Sequence, residues 1–198
     1  MSSVIIEDGF SGKANKVHVD DHGRAYVLAD VVSHEQHHAV YHQNLFVSFF
    51  ETTLQGSAET PIAFFRNTSP EKEFEIYTID IECDDTIQVN AYFTSTYTSG
   101  GNAVVPVNTN RGSNKRLTGE FYQGGATANL NIDRTTEIQF GRYFVKADEG
   151  RPLDFKGAAV LTDQTSIHFT AIGALDDNVS ITILSSWHDV GASVLGRP

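Results

Sequence analysis

Cysteine, methionine and tryptophan are nearly missing from this chain, one of each in 198 residues, and there is no long apolar run. A single cysteine, Cys83, forms no internal disulfide and no multi-cysteine metal site. It sits in the strand-like stretch EIYTIDIEC, where a buried, inert thiol is expected. No stretch of about 20 apolar residues exists to cross a bilayer as a helix. The opening MSSVIIEDGF has neither a basic n-region nor a long apolar h-region, so no signal peptide is expected and synthesis in the producer's cytoplasm is. Basic residues are scarce too. Fourteen Lys and Arg against 25 Asp and Glu give a net charge of -11, a surface that repels nucleic acid and anionic membrane. No GxSxG, P-loop or GxGxxG motif occurs.

Phenylalanine is present in excess. Thirteen Phe with one Met and one Trp point to a β core filled by large rings. Short β-branched and aromatic segments, bounded by Gly, Asn, Asp, Pro or Ser, recur along the chain. They cover 44–54, 61–67, 73–83, 86–96, 103–108, 117–123, 128–132, 136–145, 154–161, 166–173 and 179–187. Ile87, Val89, Ala91 and Phe93 alternate with Gln88, Asn90 and Tyr92, which predicts one buried face and one wetter face. Turns are expected at Asp84-Asp85, Ser99-Gly100-Gly101, Gly124-Gly125, Asp148-Glu149-Gly150 and Asp176-Asp177-Asn178. Pro106 places its segment at a sheet edge or on a bulge.

Helical periodicity over 12 or more residues is absent, so the fold expected is all-β: an antiparallel, jelly-roll-like β-sandwich with an extended N-terminal arm and at most one short helix. That helix would cover 33–43, with Ser33 as N-cap and Gln36 three residues on. Two units are expected, an arm with a strand pair and short polar segment over 1–43, and the sandwich over 44–198.

Chemistry-bearing residues concentrate in the histidines. On a helix, His34, His38 and His42 fall along one stripe at i, i+4 and i+8, the one candidate metal set. His34-Glu35-Gln36-His37-His38 also spells His-Glu-x-x-His, but that motif works within a long helix, and about 11 residues followed by strands do not supply one. No cofactor, no metal and no enzymatic activity are therefore expected, with a metal-dependent enzyme built on these histidines kept as the last alternative, and the segment reads as a solvated or subunit-contacting surface. Paired Asp residues read as turn chemistry. Tyr92, Tyr97, Tyr122, Tyr143 and Trp187 would make a sugar-stacking platform if one sheet face gathered them, which keeps a carbohydrate-binding or adhesin-type module open as an alternative. In the arm, Val17, Val19, Tyr26 and Leu28 alternate as if adding strands to a partner, and they are the candidate partner-binding residues.

Several stretches share a pattern with known proteins. The opening carries Asp8-Gly9, then Lys16-Val17, Val19-Asp20 and Gly23-Arg24, followed by the His-rich Ser33 to His38. Midway lies Gly100-Gly101-Asn102-Ala103-Val104-Val105-Pro106-Val107-Asn108-Thr109-Asn110-Arg111-Gly112-Ser113, and near the end Leu161-Thr162-Asp163-Gln164-Thr165-Ser166-Ile167. In these stretches the chain resembles small virion structural proteins of tailed bacteriophages, over most of its length. The resemblance implies a non-enzymatic virion component in the jelly-roll or sandwich class, with capsid decoration or cement ahead of a tail or neck role. It carries over no catalytic residue. The partners expected are further copies of the chain, as a homo-oligomer of three, and the major capsid protein or other virion proteins, with no nucleic acid and no membrane.

Overall fold

The computed structural model describes residues 3–7, 14–19, 25–26, 39 and 42–190, except 94, 127 and 148; for 3–7, 14–19, 25–26 and 156–158 only the backbone is described. The expected helix over 33–43 falls largely outside these residues, and of the strand-like stretch Arg24 to Val32 only 25–26 are described. No α-helix occurs among the described residues, and the fold is an antiparallel β-sandwich.

Near the N-terminus, β1 (Ser3–Glu7), β2 (Ala14–Val19) and β3 (Ala25–Tyr26) form their own three-stranded antiparallel sheet. Val17 and Val19 lie in β2 and Tyr26 in β3, while Leu28 lies outside the described residues.

Eight strands build the sandwich: β4 (Leu45–Gln55), β5 (Thr60–Asn67), β6 (Lys72–Cys83), β7 (Ile87–Phe93), β13 (Ile138–Val145), β14 (Arg151–Leu161), β15 (Ser166–Ile172) and β16 (Leu175–Asp189). They split into a first sheet of order β4-β16-β6-β14 and a second of order β5-β15-β7-β13. Strands 4, 5 and 6 alternate between the sheets, and so do strands 14, 15 and 16. The late strands β15 and β16 slot between the early ones, so each sheet interleaves the two halves of the chain in jelly-roll fashion.

Alternation along the strands aims one row of each sheet inward. Phe46, Phe50 and Leu54 of β4, Ile79 and Ile81 of β6, and Ile181 and Ile183 of β16 meet Ile87, Val89 and Ala91 of β7 and Ile167, Phe169 and Ala171 of β15 in one core. Phe65 of β5, Phe74 of β6 and Phe121 stack across the gap with centroids 4.7 to 6.5 Å apart. Those rings account for part of the chain's 13 phenylalanines.

The expectation of a wetter face on β7 does not hold. Asn90 and Tyr92 are as buried as the core row, at 3% and 5% exposure. The cause is the long connection from β7 to β13, residues 94–137, which lies over the outer face of the second sheet. It contains β8 (Thr96–Ser99), β9 (Asn102–Ala103), β10 (Val107–Asn108), β11 (Gly119–Gln123) and β12 (Asn131–Asp133). β11 extends the second sheet beyond β5, with β9 as its last strand, while β10 extends the first sheet beyond β4. Pro106 lies between β9 and β10, so the single segment expected over 103–108 becomes two edge strands on different sheets. That is where a residue without an N–H is tolerated.

Candidate functional site

Where the insert meets the second sheet lies a polar cluster that is partly open to solvent, its Arg134 exposed and its Glu59 half-buried. Glu59, just before β5, is its centre. Its carboxylate accepts hydrogen bonds from Tyr92 Oη (2.8 Å), Asn90 Nδ2 (3.1 Å) and Thr170 Oγ1 (2.5 Å), and pairs with Arg134 Nη1 at 2.7 Å. Burial alone would raise the Glu59 pKa. The donors from Arg134, Thr170, Tyr92 and Asn90 outweigh it and hold the carboxyl at about 2. Arg134 also donates to Tyr92 Oη (2.9 Å) and Glu137 Oε1 (2.7 Å), and its guanidinium lies 5.0 Å from the Tyr92 ring centre. Burial, and the hydrogen bond to Glu59, push the Tyr92 phenol up, so it stays a neutral donor.

Beside this cluster lie a serine, a histidine and a carboxylate in hydrogen-bonding order, the arrangement that activates a nucleophile in hydrolases. Ser95 Oγ is 2.6 Å from His168 Nδ1, and His168 Nε2 is 3.5 Å from Glu137 Oε2. The surroundings do not suit that chemistry. Ser95 is 2% exposed and His168 is not exposed at all. Burial, with the nearby Arg134 charge, lowers the His168 pKa to about 4, so the imidazole stays neutral and is a feeble base. Its ring stacks on Tyr92 at 4.7 Å, nearly parallel. The histidine, lone in the apolar run of β15, therefore reads as a core residue that spends Nδ1 on Ser95 and leaves Nε2 buried without a hydrogen bond.

The aromatic side chains do not gather into a platform. Tyr97 and Tyr122 meet edge to face at 4.9 Å and, with Leu130 and Ile132, cover Phe64. Tyr97 donates to Glu120 Oε1 at 2.8 Å, and Glu120 pairs with Arg66. Tyr92 is buried on His168, Tyr143 sits on the β13 edge, and Trp187 belongs to the first sheet, where Lys72 Nζ lies 4.1 Å from its ring centre.

Open to solvent is a groove of about 450 Å³ at the β9–β10 edge. Val104, Val105, Pro106 and Val107 form one wall, Leu117 and Phe121 lie deeper, and Arg111, Lys115 and Arg116 contribute positive charge. The loop that carries these cations is stitched by its own side chains. Asn108 Oδ1 accepts from the Asn110 N–H (2.8 Å), Asn110 Oδ1 from the Gly112 N–H (3.1 Å), and Ser113 Oγ from the Lys115 N–H (3.1 Å). It is also tied to the chain ahead of β4: Asn110 Nδ2 donates to the Ala39 carbonyl (3.2 Å), Asn108 Nδ2 to that of Gln43 (2.9 Å), and Lys115 Nζ to that of His42 (2.6 Å). The Asn-rich motif of 100–113 thus sets a rigid wall.

Of the candidate metal residues, His34 and His38 lie outside the described residues and His42 is exposed. No group of three metal-ligating side chains occurs among the described residues. Cys83 is buried, its thiol pushed up chiefly by desolvation and lying 3.7 Å from the carbonyls of Val145 and Lys146, which fits an unreactive thiol.

Fold and site together define a jelly-roll sandwich with a half-buried polar cluster on one face and an apolar, cationic groove at one edge. Comparison with protein-family models, with curated proteins and with solved structures gives no match. The polar cluster was not visible beforehand. Glu59, Arg134 and Thr170 lie far apart in sequence and follow no shared spacing. The nearest signals were a charged residue directly before β5 and a histidine within an apolar strand.

Proposed function

We propose that this protein is a non-enzymatic structural subunit of a tailed-phage virion, a capsid decoration or cement protein that associates with itself and binds the particle surface. The observation that carries this reading is where chemistry and stickiness lie. Groups able to do acid–base work are tied up in the fold: Ser95 and His168 are buried against each other, and the Glu59 carboxylate is occupied by donors from Tyr92, Asn90, Thr170 and Arg134. The features that face solvent are large apolar side chains: Phe49, Val105, Val107, Ile138, Phe144 and Leu175 are each at least half exposed. Such side chains on a rigid sandwich suit protein contacts. β13 adds an eight-residue strand at the end of the second sheet, an edge that a neighbouring subunit would cover. The virion assignment itself rests on the resemblance of the opening, the 100–113 motif and the 161–167 turn.

Mass spectrometry of purified phage particles tests the reading, with the chain expected at a stoichiometric ratio to the major capsid protein. Its absence from particles would end the virion proposal. Labelling the chain in intact particles separates a head position from a neck or tail one.

A further inference from the structure

The groove at the β9–β10 edge has a counterpart at the opposite end of the same molecule. Residues 86–119 contain Arg111, Lys115 and Arg116 and no Asp or Glu, a charge of +3, so the other 164 residues carry -14 (-11 minus 3). Arg111 and Arg116 are exposed, and neither pairs with a carboxylate among the described residues. Cationic apolar surface in a chain of this charge calls for an anionic, partly apolar occupant.

Such a surface is presented at the far end of β4. The groove loop runs past the start of that strand, with the Thr109 N–H on the Leu45 carbonyl, whereas Leu175 pairs with Gln55 at its end. Ten residues of strand, about 33 Å, separate the two. At that far end, the β6–β7 turn and the β15–β16 turn are joined, with the Asp84 N–H on the Asn178 carbonyl (3.2 Å) and Asn178 Nδ2 on Asp84. Together they expose Leu175, at 66%, along with the carboxylates of Asp84, Asp85 and Asp176. Buried Asp177 accepts from the Ala174 N–H at 2.6 Å and fixes the turn.

We propose that copies of this chain associate head to tail, with the Leu175 knob of one copy seated in the Val104–Phe121 groove of the next and Asp84, Asp85 and Asp176 facing Arg111 and Arg116. Both surfaces are held by internal hydrogen bonds before they meet, so little ordering is needed on contact. A contact between two different patches closes into a ring when the rotation per copy allows, three being the number expected from the sequence, and otherwise extends into a filament. The inference rests on the self-association proposed above and names its contact.

Sedimentation velocity of the full chain at low salt, with charge-reversed variants, is the test. Arg111→Glu with Arg116→Glu, and separately Asp84→Lys with Asp85→Lys, should each weaken association at least tenfold; the groove pair leaves the thermal melt in place, and the knob pair lowers it slightly, since Asp84→Lys also removes the hydrogen bond from Asn178. Mixing the two variants should restore association between unlike copies, because each acidic groove then meets a basic knob and each basic groove an acidic one; strict alternation allows only even numbers of copies, so pairs or longer even species form in place of a three-membered ring. If the wild type assembles and both reversals leave its mass unchanged, or the mixture fails to assemble, this contact is wrong while self-association stands. A wild type that remains a monomer at high concentration overturns both.

Discussion

Two titratable groups, His168 fully buried and Glu59 half-buried, set how the protein responds to acid. His168 has its pKa lowered from the ordinary 6.5 to about 4 by burial and then by the Arg134 charge. A base held neutral in the fold takes up its proton more readily when unfolded. Its contribution is therefore complete above about pH 6.5 and is lost as the pH falls towards 4, up to about 3 kcal/mol. Glu59 acts lower down. Its folded pKa of about 2 lies below the ordinary 4.5, so its stabilisation is present above 4.5 and disappears as the pH drops towards 2. Urea unfolding from pH 7 to 3 should show a first decline above pH 4. The variant His168→Gln should flatten that decline, and an unchanged slope would contradict the assigned burial. Glu59→Gln leaves Arg134 paired with Glu137 alone and should cost about 1 kcal/mol at pH 7. The gap from wild type should narrow below pH 4.

The insert's attachment is a property of elements, and its seam is made of glycine. Gly124 and Gly125 follow β11, where the sequence suggested only a turn. Thr52 Oγ1 donates to the Gly124 carbonyl (2.6 Å), the Gly124 N–H to that of Ile62 (3.0 Å), the Gly125 N–H to that of Pro61 (2.9 Å), and the Ala126 N–H to that of Thr53 (2.9 Å). These bonds tie the insert to β4 and β5, one from each sheet. Gly125 has φ +97°, and a Cβ there would stand 1.7 Å from Thr52 Oγ1. Gly125→Ala should therefore destabilise by about 3 kcal/mol or more, through both backbone strain and the clash. A change under about 1 kcal/mol in the denaturation midpoint free energy would show that the insert is not seated as described. Strand positions were legible because alternation is a local signal: Ile181 and Ile183 face inward, and Asp84-Asp85 turns. What covers a strand is not local. Asn90 and Tyr92 are polar enough to read as solvated, and their partners come from scattered places in the chain: Glu59 from ahead of β5, Arg134 from the connection beyond β7, Gln139 from β13 and His168 from β15. In the same way, the Ser95–His168 contact joins positions 73 apart in the chain. Only the closing of the insert over the second sheet brings them together.

For the whole molecule, the division of labour between the N-terminal sheet and the sandwich decides how the protein would attach. β1, β2 and β3 pair with one another and with no strand of either sandwich sheet. The sandwich strands begin at Leu45 and complete both sheets without them. Removal of residues 1–23 takes away β1 and β2 but leaves every hydrogen bond of the two large sheets and the Phe65–Phe74–Phe121 stack. The truncated chain should unfold cooperatively, with a far-ultraviolet circular dichroism spectrum still dominated by strand. In the sequence, Val17 and Val19 alternate with polar neighbours as a strand does when half of it is to be covered. A short hairpin with so little apolar material gains most of its order from a partner surface. If that partner is the capsid, the truncated chain should fail to join particles lacking the protein, while the full-length chain joins them to saturation. The head-to-tail contact between sandwiches involves none of the deleted residues, so self-association should persist in the truncated form. Loss of binding together with loss of folding would point to a structural role for residues 1–23. Binding at the full-length level would move the capsid contact onto the sandwich, with the exposed Ile138 and Phe144 of β13 the next surface to alter.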